Sequence, residues 1–211
     1  MKRRTASFTG TRPIFTGSPS IVQGGFNLDV TTQNFAVGDV IPAGTLAIKN
    51  EETRKVQIIK TAKVVDVAED HKTVTLHVDE FYVPCFSVGD KVLKLPISGN
   101  YSDVPAIAKI EAKGETYIIT LDKAAATGWR NGDVIEQVVD GSPAAKEIGK
   151  ANCVTIYDVE VSEFETGIDV SADTMQYAMY ELRVAPIPAT QKNESGDYLV
   201  ANPHVKLTKS H

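Results

Sequence analysis

The feature that most constrains the fold of this chain is a turn pattern that occurs three times, in which an aromatic residue and two spacers precede Gly-Asp. The copies are Phe35-Ala36-Val37-Gly38-Asp39, Phe86-Ser87-Val88-Gly89-Asp90 and Trp129-Arg130-Asn131-Gly132-Asp133. Glycine adopts positive φ without steric cost and so reverses the chain, and the aspartate after it can bond nearby backbone N–H groups. The aromatic ring can fold back over the next strand. We interpret all three as structural turns at the rim of a β-barrel or sandwich.

The second and third copies also share what precedes them. In both, a hairpin ends in Thr-Leu, a short connection follows, and the turn then leads into another strand-like run. We place the two units at residues 62–95 and 108–138. Repetition at about 45 residues is an architectural signal rather than a catalytic one.

Many short apolar runs separated by Gly, Pro and Asp turns predict a mainly β fold. We expect a small barrel or sandwich of short antiparallel strands with an internal hairpin–turn repeat, one short helix and an extended N-terminal arm. The arm is predicted at residues 1–34, the β body at 35–140 and an acidic β-rich C-terminal part at 141–211. The helix is predicted at residues 122–126, with Gly128 as its cap.

Two later segments are harder to assign from their patterns. Residues 174–183 fit both a strand and a helical stripe, and we favour a long strand because Pro186 and Pro188 then start an extended exit. Residues 144–150 are predicted to form a single helical turn, and residues 198–200 and 204–207 short edge strands. The predicted core consists of Leu46, Ile48, Ile58, Val65, Val67, Leu76, Ile110, Ile119, Leu121 and Ile135.

The N-terminal segment is polar and basic, whereas the rest of the chain is acidic. Residues 1–34 carry four Lys or Arg residues against Asp29 alone, a net charge of +3, so that a total of −5 leaves −8 for the remainder. Residues 151–182 contain seven acidic residues and no Lys or Arg. A basic arm and an acidic body can attract one another within or between subunits, and a solvated acidic face is the alternative. This charge argues against nucleic acid as the main partner.

The two cysteines, Cys85 and Cys153, each lie among apolar residues and are predicted to be buried thiols, with a disulfide between them as the alternative. No apolar run approaches the roughly 20 residues that a membrane-spanning helix needs. The basic N-terminus has no apolar segment behind it of the kind that a secretory signal requires. We therefore expect no membrane partner.

No arrangement of residues in the sequence predicts catalysis, a cofactor or a metal site. His71 and His77 are six residues apart across a hairpin, a pattern that indicates a metal pair only weakly. Asp158, Glu160 and Glu163 could supply oxygen ligands to calcium but lack the regular loop spacing of such sites, and a solvated strand face explains them better. Phosphate-loop, dinucleotide-binding and nucleophile-elbow motifs are absent from the sequence. The chain is accordingly not expected to be an enzyme.

Two stretches carry a resemblance to known protein families. The run Gly38-Asp39-Val40-Ile41-Pro42-Ala43-Gly44-Thr45 resembles the opening of the β body in head decoration proteins of tailed bacteriophages. The segment from Ala106-Ile107-Ala108-Lys109-Ile110 through Ile119-Thr120-Leu121 to Gly132-Asp133-Val134-Ile135 is similar to capsid-bound auxiliary and head-fibre proteins of phages that infect gut Bacteroidetes, including crAss-like phages. The resemblance covers residues 35–140. The acidic final third departs from the smallest decoration proteins.

The resemblance implies a virion structural protein on the exterior of the phage head, assembled in the host cytoplasm, where it binds the major capsid protein and reinforces contacts between capsomers. It also implies a homo-oligomer, either a trimer or a dimer. An arm that orders on the shell would gain contact area there, and many copies would make modest contacts firm. We assign the capsid contact to Phe8, Arg12, Phe15 and Phe26 of the arm.

Three alternatives remain open on the sequence alone. The first is a head-fibre base protein, whose C-terminal region would hold a fibre protein. The second is a carbohydrate-binding or adhesin β module, which needs an exposed aromatic platform. Its candidate residues are Trp129, Tyr101, Tyr177 and Tyr180. The third is a hydrolase, although the sequence shows no paired acid and base.

Overall fold

The structure, a computed structural model, describes residues 13–22, 25–174 and 177–209 and is mainly β, as predicted. The first eight strands are β1 (Phe26–Leu28), β2 (Val40–Ile41), β3 (Leu46–Asn50), β4 (Lys55–Ile58), β5 (Thr61–Val67), β6 (Thr73–Leu76), β7 (Val92–Lys94) and β8 (Ile107–Lys113). The next eight are β9 (Thr116–Leu121), β10 (Val134–Asp140), β11 (Ala145–Glu147), β12 (Cys153–Val154), β13 (Val159–Glu160), β14 (Gly167–Ile168), β15 (Met179–Tyr180) and β16 (Leu207–Thr208). Three short 3₁₀-helices lie at Tyr101–Asp103, Glu181–Arg183 and Ala189–Gln191.

The strands form two larger sheets and two separate pairs. The five-stranded sheet has the order β12-β3-β4-β1-β14, and the seven-stranded sheet has the order β11-β10-β5-β6-β9-β8 with β7 paired to β10. β13 pairs with β2, and β15 with β16. Neighbouring strands are antiparallel except for β1 beside β4 and β15 beside β16. The chain crosses from the five-stranded to the seven-stranded sheet between β4 and β5.

The two hairpins of the predicted repeat lie side by side in the seven-stranded sheet. β5 and β6 form one hairpin, β8 and β9 form the other, and they meet through antiparallel pairing of β6 with β9. Thr73 is opposite Thr120 and Leu76 is opposite Tyr117 in that pairing. The inward faces of both hairpins share one apolar core, which includes the fully buried Val74. The repeat therefore builds a single sheet with one core.

The described residues of the N-terminal segment, 13–22 and 25–34, are part of the body, which corrects the predicted division at residue 34. β1 lies inside the five-stranded sheet, with Phe26 opposite Ile168 and Asn27 opposite Lys55. Upstream, Phe15 forms a β-bridge with Met179. These apolar side chains bury against neighbours that are distant in the sequence, which offsets the entropy of ordering an otherwise polar segment. The described part of the predicted arm is thus held by the chain's own sheets.

The predicted helix at residues 122–126 is not present. Asp122 instead forms two hydrogen bonds with the backbone of Ala106, accepting through its carboxylate at 3.0 Å and donating from its N–H at 2.9 Å. The N–H of Ala126 donates to the carbonyl of His71 at 3.0 Å. Backbone groups that a helix would pair internally are used by tertiary contacts. The predicted helical turn at residues 144–150 is likewise replaced by β11, which pairs with β10.

Two further predictions are corrected by the described residues. The long strand predicted at residues 174–183 is reduced to β15, because the chain turns directly afterwards into a 3₁₀-helix whose Arg183 donates to the carbonyl of Pro13 at 2.6 Å. Val65 of the predicted core is 37% exposed, whereas Val64 is fully buried. Val65 points outward because it continues the alternation of the buried Ala62 and Val64, and the β-bulge between Val64 and Asp66 then shifts that alternation by one residue, so that Val67 packs against the core. The predicted edge strands near residue 200 are mostly isolated bridges before β16.

Candidate functional site

The three Gly-Asp turns share one geometry. Each glycine has positive φ, at 94° for Gly38, 94° for Gly89 and 92° for Gly132. In each turn the aspartate carboxylate accepts the backbone N–H of the residue three positions earlier, at 2.7, 2.8 and 2.7 Å for Ala36, Ser87 and Arg130. The hydrogen bond inferred from the sequence is therefore confirmed. It stabilises each turn through atoms of the turn itself.

Each turn also holds one residue of a neighbouring strand segment by two backbone hydrogen bonds. The glycine N–H donates to the carbonyl of that residue, and the aspartate carbonyl accepts its N–H, at distances of 2.8 to 2.9 Å. The residues held in this way are Val161, Ile107 and Val64 for the first, second and third turn. All three are buried. The second turn, in the first repeat unit, thus bonds the start of β8. The third turn, in the second repeat unit, bonds β5 of the first unit.

A buried ion pair joins the first two turns. Nζ of Lys60 lies 2.8 Å from Oδ2 of Asp90, and it donates to the carbonyl of Asn34 at 2.5 Å. Nζ also sits 3.8 Å from the centre of the Phe35 ring, a cation–π contact. Burial raises the pKa of Asp90, and the Lys60 ammonium opposes that rise. Lys60 therefore connects the aromatic residue of the first turn with the aspartate of the second.

Two glutamines extend this network into both sheets. Nε2 of Gln137, on β10, donates to Oδ1 of Asp90 at 3.1 Å, and its Oε1 accepts from Gln33 at 3.2 Å. The Gln33 amide bonds both backbone groups of Ile58, at 2.6 and 2.7 Å. A satisfied buried network of this kind fixes the positions of its members. The first two turns are consequently held rigidly relative to each other.

Between these two turns lies an open groove with a volume of about 820 Å³. Its walls are formed by Val30, residues 33–36, residues 38–40, Pro42 and residues 83–88, and its floor by side chains of β8 and β9. Val88 is part of this lining, whereas Val37 lies beside it at the tip of the first turn. The apolar lining includes Val40, Pro42, Val83, Pro84 and Ile110. A preformed apolar concavity of this size is typical of a binding site.

Exposed valines occupy the tips of the two turns that flank the groove. Val37 is 63% exposed and Val88 is 58% exposed, and both occupy the position directly before the turn glycine. The third turn, which does not line the groove, has Asn131 at that position. Sequence reasoning missed this site, although the signal was visible: two of three equivalent turn tips are apolar where a polar residue would be solvated better. The pattern distinguishes the groove-forming turns from the structural third.

The groove offers little for proton transfer or nucleophilic attack. Of the described residues that line it, only Asp39 carries a formal charge, and its carboxylate already accepts the Ser87 hydroxyl at 3.0 Å. Burial raises the pKa of the Cys85 thiol to about 11, so the thiolate is scarce near neutral pH. Burial also raises the pKa of Tyr117, whose hydroxyl donates to the carbonyl of Phe86. The arrangement favours binding an apolar segment.

The residues predicted to contact a capsid are not brought to a common surface. Phe15 and Phe26 are buried, with 8% and 2% of their surfaces exposed, and they belong to different core clusters. Neither side chain is presented to a partner, because the chain's own sheets cover both. Phe8 and Arg12 lie outside the described residues.

The aromatic residues of the carbohydrate alternative are also dispersed. Trp129 packs on the core of the seven-stranded sheet, and Tyr101 packs near the end of β10 beneath the ammonium of Lys91. Tyr180 is stacked under the Arg183 guanidinium at 4.0 Å. Tyr177 alone among the four is more than half exposed. They do not form one platform.

The candidate metal ligands of the sequence do not cluster. Among the described residues, no group of three or more His, Cys, Asp or Glu side chains could hold a metal ion. Asp158 accepts the N–H of Ala43 at 2.8 Å, and burial raises the pKa of its carboxyl group.

Cys85 and Cys153 are free and buried, so the prediction of two buried thiols is confirmed. Within the ranges that the structure describes, none of the helices has the length and apolar character needed to cross a membrane.

The chain matches no protein-family model, and no curated protein or solved structure is significantly similar to it.

Proposed function

We propose that the protein is a virion structural protein, a capsid decoration or auxiliary protein that binds the major capsid protein on the outside of a phage head. The observation that carries the proposal is the apolar groove between two rigid turns whose tips expose Val37 and Val88. The resemblance of residues 35–140 to decoration and auxiliary proteins supplies the partner. The proposed capsid contact is the groove and its rim. It replaces the contact through Phe15 and Phe26 that the sequence predicted.

The physical basis of the contact is burial of apolar surface on a preorganised site. Each exposed valine covered by a partner gives about 1.5–3 kcal/mol at full burial. The Lys60–Asp90 pair and the turn hydrogen bonds hold the groove before binding, so little conformational entropy is lost there. Binding of many copies on a shell then multiplies a modest single contact.

The head-fibre base function is a second candidate, and one exposed residue favours it. Phe164 is 87% exposed in the acidic part of the chain, three residues after the Val161 that the first turn holds. Aromatic residues are enriched at protein–protein interfaces relative to the rest of a surface, so this exposed ring is a candidate contact for another protein.

Co-sedimentation with phage heads tests the proposal. The full chain should sediment with heads, Val88→Asp should lose most binding because a charge enters the apolar contact, and Val200→Asp should retain it as a matched exposed-valine control. A truncated chain without residues 1–12 measures what the basic segment adds and leaves the described fold complete. Absence of binding by the full chain, or equal binding by both aspartate variants, would overturn the assignment of the groove to the capsid protein.

A further inference from the structure

Strand β8 forms an open edge of the seven-stranded sheet. In the part of the chain that the structure describes, the sheet ends at β8, and only the start of this strand is covered, where the second turn holds Ile107. Gly114 and Glu115 form a two-residue turn between Lys113 and Thr116, with φ of 60° at Gly114. A turn of this length makes Lys113–Thr116 a hydrogen-bonded pair, and such pairs alternate along the strands.

This alternation determines which backbone groups of β8 point away from the sheet. The N–H and C=O of Lys109, Glu111 and Lys113 face β9, because their pairings follow the hydrogen-bonded pair at the turn in steps of two. The N–H and C=O of Ile110 and Ala112 therefore face outward. A row of outward backbone groups is a template for another strand.

The two faces of β8 differ in character. Ile110 and Ala112 line the floor of the groove, and Ile110 packs partly on the core beneath. Lys109 and Glu111 stand on the opposite face, where they form an exposed ion pair with each other at 2.5 Å and their side chains are 64% and 58% exposed. Apolar residues thus alternate with residues of opposite charge on either side of Ile110.

We propose that β8 pairs antiparallel with β8 of a second copy of this chain, about a two-fold axis at Ile110. In that register Ile110 is opposite its own copy, in a hydrogen-bonded pair formed by the outward N–H and C=O groups. Lys109 is then opposite Glu111 of the second copy, and the reverse contact forms on the other side of the axis. The strand is complementary to itself in charge, as a two-fold contact between identical surfaces requires. The sheets of the two copies join into one.

The pairing has a consequence for the groove. Because Ile110 and Ala112 lie on the groove floor, the two grooves come to lie on the same face of the joined sheet, on either side of the axis. A dimer therefore presents two binding sites in one direction. This inference does not rest on the capsid proposal, since it concerns only copies of this chain.

Sedimentation velocity of the full chain over a range of concentrations at low salt tests the pairing. The unsubstituted protein should form a dimer. Lys109→Glu places like charges opposite each other in both contacts and should weaken dimerisation by roughly tenfold or more. The double variant Lys109→Glu/Glu111→Lys restores opposite charges and should restore the dimer. Ala112→Pro removes an outward N–H, which an edge strand tolerates, and should yield a monomer.

The outcomes separate clearly. A monomer at every concentration overturns the proposal, and so does a dimer that neither Lys109→Glu nor Ala112→Pro weakens, because its contact then lies elsewhere. Circular dichroism and thermal unfolding of each variant check the fold. If Ala112→Pro does not fold, the charge variants decide, since both lie on an exposed face. This experiment uses the purified chain without phage heads. Its result therefore does not depend on whether the protein binds a capsid.

Discussion

Lys60 and Asp90 form an ion pair at 2.8 Å in which both side chains are completely buried, at the point where the chain crosses from the five-stranded to the seven-stranded sheet. Lys60 lies in the crossing itself, and Asp90 lies in the second Gly-Asp turn. Gln33 and Gln137 continue the network on either side. This pair therefore ties the two sheets and the walls of the groove to one another.

Replacing Lys60 should destabilise the protein strongly. Lys60→Met keeps most of the apolar stem but leaves the Asp90 carboxylate buried without its cation, which costs about 3–5 kcal/mol. The matched control is Lys94→Met, because Lys94 contacts Asp133 of the third turn at 3.0 Å in a pair that is partly exposed. That variant should lose about 1 kcal/mol or less. Urea unfolding measures both, and equal losses would contradict the buried role of Lys60.

The turn glycines should not tolerate a side chain. Gly132 has φ of 92°, and a Cβ there would meet only the end of the Lys63 side chain at 4.0 Å, so the cost of Gly132→Ala is that of the backbone conformation. We expect a loss of about 1–2 kcal/mol in the free energy of unfolding. Gly167→Ala, at a glycine with ordinary φ and open space, serves as the control and should be neutral or slightly stabilising. Denaturant titration of both variants makes the comparison.

Phe26 should act as a core residue. Phe26→Ala removes a ring that is 2% exposed and that the Arg54 guanidinium covers at 4.2 Å, and it should cost about 3–5 kcal/mol. Phe164→Ala is the matched control, because its ring is 87% exposed and should change stability by no more than about 0.5 kcal/mol. Thermal unfolding distinguishes the two. If Phe26→Ala left stability unchanged, β1 would not be an integral strand of the five-stranded sheet.

Glu136 should make stability depend on pH in an unusual direction. Its side chain is fully buried on β10, and neither carboxyl oxygen has a hydrogen-bond partner among the described residues. Burial raises the pKa of Glu136 to about 8, Glu147 adds to the rise, and Lys150 opposes it. The folded state therefore keeps a proton that the unfolded state loses near pH 4.5, and this contribution to stability falls as pH rises from about 4.5 to 8.

Comparison with Glu136→Gln isolates that contribution. The neutral amide cannot ionise, so the variant should gain stability relative to the unsubstituted protein by up to about 1.4 kcal/mol per pH unit across that window. Glu115→Gln makes the same substitution at an exposed turn residue and serves as the control. Urea unfolding at pH 5, 6.5 and 8 provides the measurement. A Glu136→Gln difference that stays constant over these values would show that the carboxyl is ionised in the folded state.

Local features of the fold could be predicted from the sequence with good accuracy. The three Gly-Asp turns and the two hairpins of the repeat depend on glycine φ, on hydrogen bonds over three residues and on period-two alternation. These are interactions between near neighbours, so the residues that decide them are adjacent in the sequence. The mainly β class follows from the same signals.

The groove and its supporting network could not be predicted in the same way. Val37 and Val88 are equivalent in their turns, but nothing local states that these two turns face each other across a cavity. That arrangement depends on Lys60 reaching Asp90, 30 residues away, and on Gln33 reaching Gln137, 104 residues away. Pairings over such separations depend on the sum of contacts across the whole fold.

The sequence by itself determined the strand-rich class and the turn conformations, because each follows from residue chemistry over a few positions. Only the tertiary structure decided that β1 lies between β4 and β14, that a bulge shifts the alternation of β5 between Val64 and Asp66, and that Asp122 bonds the backbone of Ala106 instead of starting a helix. In each of these cases a contact between distant residues offsets the local preference. The free energy of burying apolar surface and pairing backbone groups across the sheets exceeds the small differences in local propensity.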